Sequence, residues 1–107
     1  MLRRKLDEKE TVLTCEDLTL DLISWEVYRN NLLIELTTKE FDILEYLLRN
    51  KGRVLTKSQI AEHVWNYEFD YKSNIIEVYI RYLRKKIDDK YEKKLIITVR
   101  NVGYKLT

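Results

Sequence analysis

Residues Ser73 to Ile87 read S-N-I-I-E-V-Y-I-R-Y-L-R-K-K-I, and the two sides of this stretch decide the fold. At about 100° per residue, Ile76, Ile80, Leu83 and Ile87 fall on one stripe, the spacing of a helix packed on a core. Asn74, Ile75, Val78, Arg81, Tyr82 and Lys85 lie opposite. A merely solvated face would carry Glu, Lys and Gln there rather than Ile, Val and Tyr. Apolar and cationic groups sharing one face suit thymine methyls and base edges, with flanking Arg and Lys on phosphates. An ordinary surface helix with stray apolar residues is the alternative reading of the helix alone.

The charge around this helix supports the first reading. The whole chain carries only +2, yet from Lys72 onward ten basic residues face four acids, leaving +6 there and −4 in the first 71 residues. Such asymmetry points to nucleic acid or another acidic surface. The 107 residues suffice for one domain with a modest core, and 45% apolar with 36% charged residues describes a soluble globular chain. No apolar run approaches the roughly 18 residues of a membrane span, and M-L-R-R-K-L-D-E-K-E lacks the apolar centre of a signal peptide. A cytoplasmic protein without membrane partners is expected.

Upstream of the helix, Met1 to Glu10 is highly charged and without period, which reads as a linker or flexible N-terminus before a domain over 11–107. From Thr11 to Leu36, short β-branched and aromatic runs are broken by Glu16-Asp17 and Asn30-Asn31. They predict an antiparallel sheet of about four strands, with a hairpin over Val27 to Leu36. Thr37 opens a helix with the capping box T-T-K-E, followed by the apolar stripe Phe41, Leu44, Leu47 and Leu48 up to Asn50. A second box, Thr56 to Gln59, opens a shorter helix with Ile60, Val64 and Trp65 inward or at its rim. Asn66 to Lys72 holds Tyr67, Phe69 and Tyr71 in a loop, where they either pin the loop to the core or form a partner surface. Beyond the opening helix, Leu95 to Leu106 predicts a β-hairpin with Arg100 near its tip.

Chemistry is hard to place in this chain. His63 has no second ligand at a metal spacing, so neither metal nor cofactor is expected. Cys15 is the single cysteine and reads as a buried, inert thiol. A hydrolase using Cys15 and His63 has no support beyond the presence of both residues. Gly52 and Gly103 are the two glycines, too few for a phosphate-cradling loop. No carboxylate pair stands out, and no enzyme activity is expected.

Three helices, the second and third paired as in a helix-turn-helix, and a C-terminal hairpin make a winged helix of α+β class. The blocks L-T-T-K-E-F-D-I-L-E-Y-L, R-V-L-T-K-S-Q-I-A-E-H-V-W, N-I-I-E-V-Y-I-R-Y-L-R-K-K-I and I-T-V-R-N-V-G-Y-K-L resemble, in order and spacing, the OmpR/PhoB-type DNA-binding domain of bacterial two-component response regulators. The resemblance runs from about Val12 to Leu106. It implies a winged helix behind a four-stranded sheet, the 73–87 helix in the major groove and the 95–106 hairpin as a wing at the minor groove.

By position, the resemblance implies that Asn74, Ile75, Val78 and Tyr82 face base edges, and that Trp65, Tyr79, Arg81, Arg84 and Thr98 meet phosphates. Arg100 would enter the minor groove. Lys85 joins the phosphate set from the helical wheel. Arg84 lies near the core edge, where a structural ion pair is the alternative. Glu77, four residues before Arg81, is expected to orient it. Many relatives carry arginine where this chain has Tyr82, so sites containing A·T pairs, read by methyl contacts, are expected.

The resemblance also implies partners: a receiver domain and a sensor kinase in the parent protein, a tandem homodimer on direct repeats of double-stranded DNA, and RNA polymerase at the loop with Tyr67, Phe69 and Tyr71. An isolated domain is expected to be monomeric, either separated from a receiver or free-standing. The rival from the residues is a winged-helix protein-interaction module using Ile75, Val78 and Tyr82.

Overall fold

Short strands need sharp reversals, and this chain makes them with residues that accept a left-handed backbone. Glu16, Trp25, Asn30 and Asn31 have φ of 56°, 62°, 55° and 66°. The paired asparagines close a two-residue hairpin, the turn whose twist matches that of its strands. The computed structural model describes residues 11–65 and 75–107. In it β1 (Val12–Cys15), β2 (Leu18–Asp21), β3 (Glu26–Arg29) and β4 (Leu32–Ile34) form an antiparallel meander in that order. Leu13, Leu20 and Val27 stand in register and are buried, so alternation sends one face of the sheet to the core.

The two predicted capping boxes both form. Thr37 Oγ1 accepts from the Glu40 amide at 3.3 Å, and the Thr37 amide donates to Glu40 Oε1 at 2.9 Å. This starts α1 (Thr38–Arg49), which buries Phe41, Ile43, Leu44, Leu47 and Leu48. Gly52, with φ of 84°, turns the chain out of the helix, and its amide donates to the Leu106 carbonyl at 2.8 Å. At the second box Gln59 N donates to Thr56 Oγ1 at 3.0 Å, and Thr56 N to Gln59 Oε1 at 2.8 Å. It opens α2 (Lys57–Trp65).

α3 (Ile75–Ile87) buries Ile76, Ile80, Leu83 and Ile87 as the periodicity predicts. Ser73 and Asn74, at its predicted start, lie outside the described residues, as do Met1 to Glu10 and the loop with Tyr67, Phe69 and Tyr71. The final hairpin is β6 (Ile96–Val99) and β7 (Gly103–Leu106). A third strand of this sheet is absent from the sequence reading: β5 (Leu55–Thr56) pairs antiparallel with β7. Two residues carry no period, so only the distant partner identifies them. The approach is close enough to require glycine, since a Cβ on Gly103 would lie 2.0 Å from the Leu55 carbonyl oxygen.

One polar hub ties the two ends of the fold together. The Arg29 side chain, 2% exposed, donates to Asp17 at 2.7 Å, Asp88 at 3.1 Å, the Lys93 carbonyl at 2.7 Å and the Ile87 carbonyl. Tyr91 covers the guanidinium at 4.3 Å. Asp88 in turn accepts from the Leu95 and Ile96 amides at 3.0 Å each. A buried charge needs this degree of satisfaction. The consequence is geometric: the end of α3 and the start of β6 are fixed to the same arginine of β3.

Candidate nucleic-acid interface

With its apolar stripe buried, α3 turns Val78, Arg81, Tyr82 and Lys85 outward; Tyr82 is 44% exposed. Ile75 is half-buried and also packs on the core, so only part of it is available for contact. Beside this face runs an aromatic series. Trp65 meets Tyr79 with ring centroids 5.4 Å apart, and Tyr79 meets Tyr82 edge-on at 6.0 Å. Lys39 stands over Trp65 at 5.3 Å and donates to the Val64 carbonyl at 3.1 Å, locking the end of α2. Trp65 and Tyr79 are thus held as one wall of the face.

The wing forms the other wall. Val102 N donates to the Val99 carbonyl at 2.9 Å, and Asn101 supplies the left-handed residue of the turn with φ of 64°. Arg100 is exposed at the tip. Arg84 reaches across from α3 and donates to the Ile96 carbonyl at 3.1 Å and to Thr98 Oγ1 at 2.6 Å, with the Tyr104 ring 5.9 Å away. Of the two roles open to Arg84 in the sequence, the structural one takes a neutral form: hydrogen bonds to the wing, with no carboxylate partner among the described residues. Arg84 and Thr98 therefore fix how helix and wing sit together.

Between α3, the wing and the start of α2 lies a cleft of about 410 Å³, lined by Lys57, Ser58, Glu77, Thr98, Arg100 and Tyr104 among others. Here the structure corrects the sequence. Glu77 is held by Lys57, Nζ to Oε2 at 2.6 Å, rather than by Arg81. The carboxylate beside it is the main cause that pushes the Lys57 ammonium up from its ordinary pKa. Lys57 is a residue of this candidate interface that sequence reasoning missed. It lies 20 positions from Glu77, so no helical spacing signals the pair. Among the described residues, Arg81, Lys85 and Arg100 have no ion-pair partner.

Cys15 and His63 have different surroundings. The Cys15 thiol is buried and donates to the Thr107 carbonyl at 3.1 Å, whereas His63 stacks on Tyr46 at 3.9 Å. Among the described residues no three potential ligands gather for a metal ion, and no helix is long and apolar enough to cross a membrane.

An outward helix face with exposed cations, flanked by an aromatic wall and a wing bearing an arginine, is the geometry of a winged-helix DNA reader. Comparison with known proteins agrees. Residues 30–106 match the family described as "Transcriptional regulatory protein, C terminal". The chain belongs to this family. It is 47% identical over 106 residues to the transcriptional regulatory protein PcoR of Escherichia coli, covering 99% of this chain and 47% of that protein. The chain therefore spans a little under half of this curated relative's length. The structure of DrrB, a Thermotoga maritima OmpR/PhoB homologue, superposes with a TM-score of 0.81 at 31% identity, covering 96% of this chain and 47% of that one. The Klebsiella pneumoniae RstA DNA-binding domain, in complex with the RstA box, gives a TM-score of 0.82 at 27% identity, covering 92% and 98%. This OmpR/PhoB-type family works by DNA binding in transcription regulation.

Proposed function

We propose that this domain binds double-stranded DNA sequence-specifically, as the output domain of a two-component response regulator acting in the cytoplasm. The observation that carries the reading is the outward face of α3, where Val78 and Tyr82 share a surface with Arg81 and Lys85, both exposed and without an ion-pair partner among the described residues. In this reading α3 enters the major groove and Ile75, Val78 and Tyr82, with Asn74 ahead of them, meet base edges. Trp65, Tyr79, Arg81, Arg84, Lys85 and Thr98 line the phosphates on either side, and Arg100 reaches the minor groove. Without an arginine at Tyr82, methyl contacts favour A·T-containing sites; a binding selection returning a G-rich core opposite α3 contradicts that preference.

The remaining partners belong to the same proposal. A receiver domain and its sensor kinase would control the parent protein, two copies would occupy direct repeats in tandem, and the segment with Tyr67, Phe69 and Tyr71 would touch RNA polymerase. The division of roles at the interface is tested by two substitutions on a selected site. Arg100→Ala weakens binding and removes the preference for a narrow A·T minor groove. Val78→Ala changes the preferred sequence more than the salt slope. Equal weakening of all DNA by both changes contradicts the assignment.

A further inference from the structure

Glu77 is the one acid on α3, against Arg81, Arg84, Lys85 and Lys86 on the same helix. It shares the cleft between α3 and the wing with Arg100, inside the surface assigned to DNA. A bare carboxylate there would repel the phosphate backbone. Lys57, the first residue of α2, neutralises it at 2.6 Å, with both side chains partly exposed at 51% and 40%. An exposed pair of this kind contributes little to folding stability. Its larger consequence lies in the field of the interface, where it converts a cation of the cleft into a neutral pair.

We propose that the Lys57–Glu77 pair is an electrostatic brake on DNA binding: Glu77 withholds the Lys57 ammonium from the backbone phosphates and so lowers affinity for any sequence. The inference rests on the DNA-binding reading above. Each phosphate neutralised by a cation steepens the salt dependence of binding by about 0.9 in log–log slope. Releasing Lys57 therefore has a defined size.

The experiment is fluorescence anisotropy of the 107-residue chain with a selected direct-repeat duplex and with its scrambled version, over a salt series. Glu77→Gln is expected to tighten both duplexes about fivefold at roughly 0.15 M salt and to steepen both slopes by about 0.9. Lys57→Met alone leaves Glu77 uncompensated and weakens both. The double variant Lys57→Met/Glu77→Gln returns to the wild-type slope. Thermal unfolding of each variant separates these effects from loss of fold. Unchanged slopes in Glu77→Gln overturn the brake, and so does a loss confined to the selected duplex, which would make Glu77 a direct base reader. Wild-type protein that binds neither duplex overturns the DNA-binding reading itself, a result distinct from the other two.

Discussion

At the scale of single residues, the strongest commitments lie away from the interface. Arg29 is buried with Asp88, whose two oxygens also hold the Leu95 and Ile96 amides. Arg29→Leu leaves that carboxylate buried without its cation, and breaking one side of such a pair costs about 3–5 kcal/mol. Urea denaturation should show this loss, and a variant within 1 kcal/mol of wild type, on the order of a surface change, contradicts it. None of this was legible in the sequence, because Arg29 and Asp88 lie 59 positions apart in separate elements. Cys15 was legible as a buried thiol. Burial pushes its pKa up, so the folded state holds the proton longer than the unfolded chain does. Its contribution to stability is complete below the unfolded pKa and lost as pH rises through the folded one. Slow alkylation of Cys15 in the native protein at pH 8, speeding sharply on unfolding, checks this; equal rates in both states contradict it.

At the scale of elements, local chemistry and long-range pairing divided the work of specifying the fold. Both capping boxes and the Asn30-Asn31 turn are local, since the groups that satisfy one another lie within three residues, and the sequence alone located all three. β5 is the opposite case: Leu55 and Thr56 become a strand only because β7 arrives beside them. That pairing depends on Gly103. Gly103→Ala drives a methyl group against the Leu55 carbonyl and should cost about 1–3 kcal/mol, as overpacking does. Faster hydrogen exchange at the Leu55 amide should accompany it, because the clash separates β5 from β7, whereas the Thr56 amide is held by Gln59 within its own capping box. Unchanged stability and exchange would show that the backbones can part without cost. The Lys57–Glu77 pair escaped notice for the same reason as β5. It joins two helices that sequence reading placed correctly but could not orient.

At the scale of the whole molecule, the uneven charge of the chain becomes a spatial arrangement. The acidic first part builds the sheet and α1, and the basic remainder supplies α3 and the wing. Arg29 fastens the first part to the end of α3, while Arg84 fastens α3 to the wing. α3 and the wing are thereby held at a fixed spacing, and the cations left unpaired among the described residues include Arg81, Lys85 and Arg100. Backbone contacts from Arg81 and Lys85 alone predict a log–log salt slope near −1.8 or steeper. The most direct test is the wild-type domain titrated against a selected direct-repeat duplex and its scrambled version across a salt series. A steep slope on both and markedly tighter binding to the selected repeat are expected. Equal affinity for the two duplexes, or binding insensitive to salt, would contradict sequence-specific DNA binding.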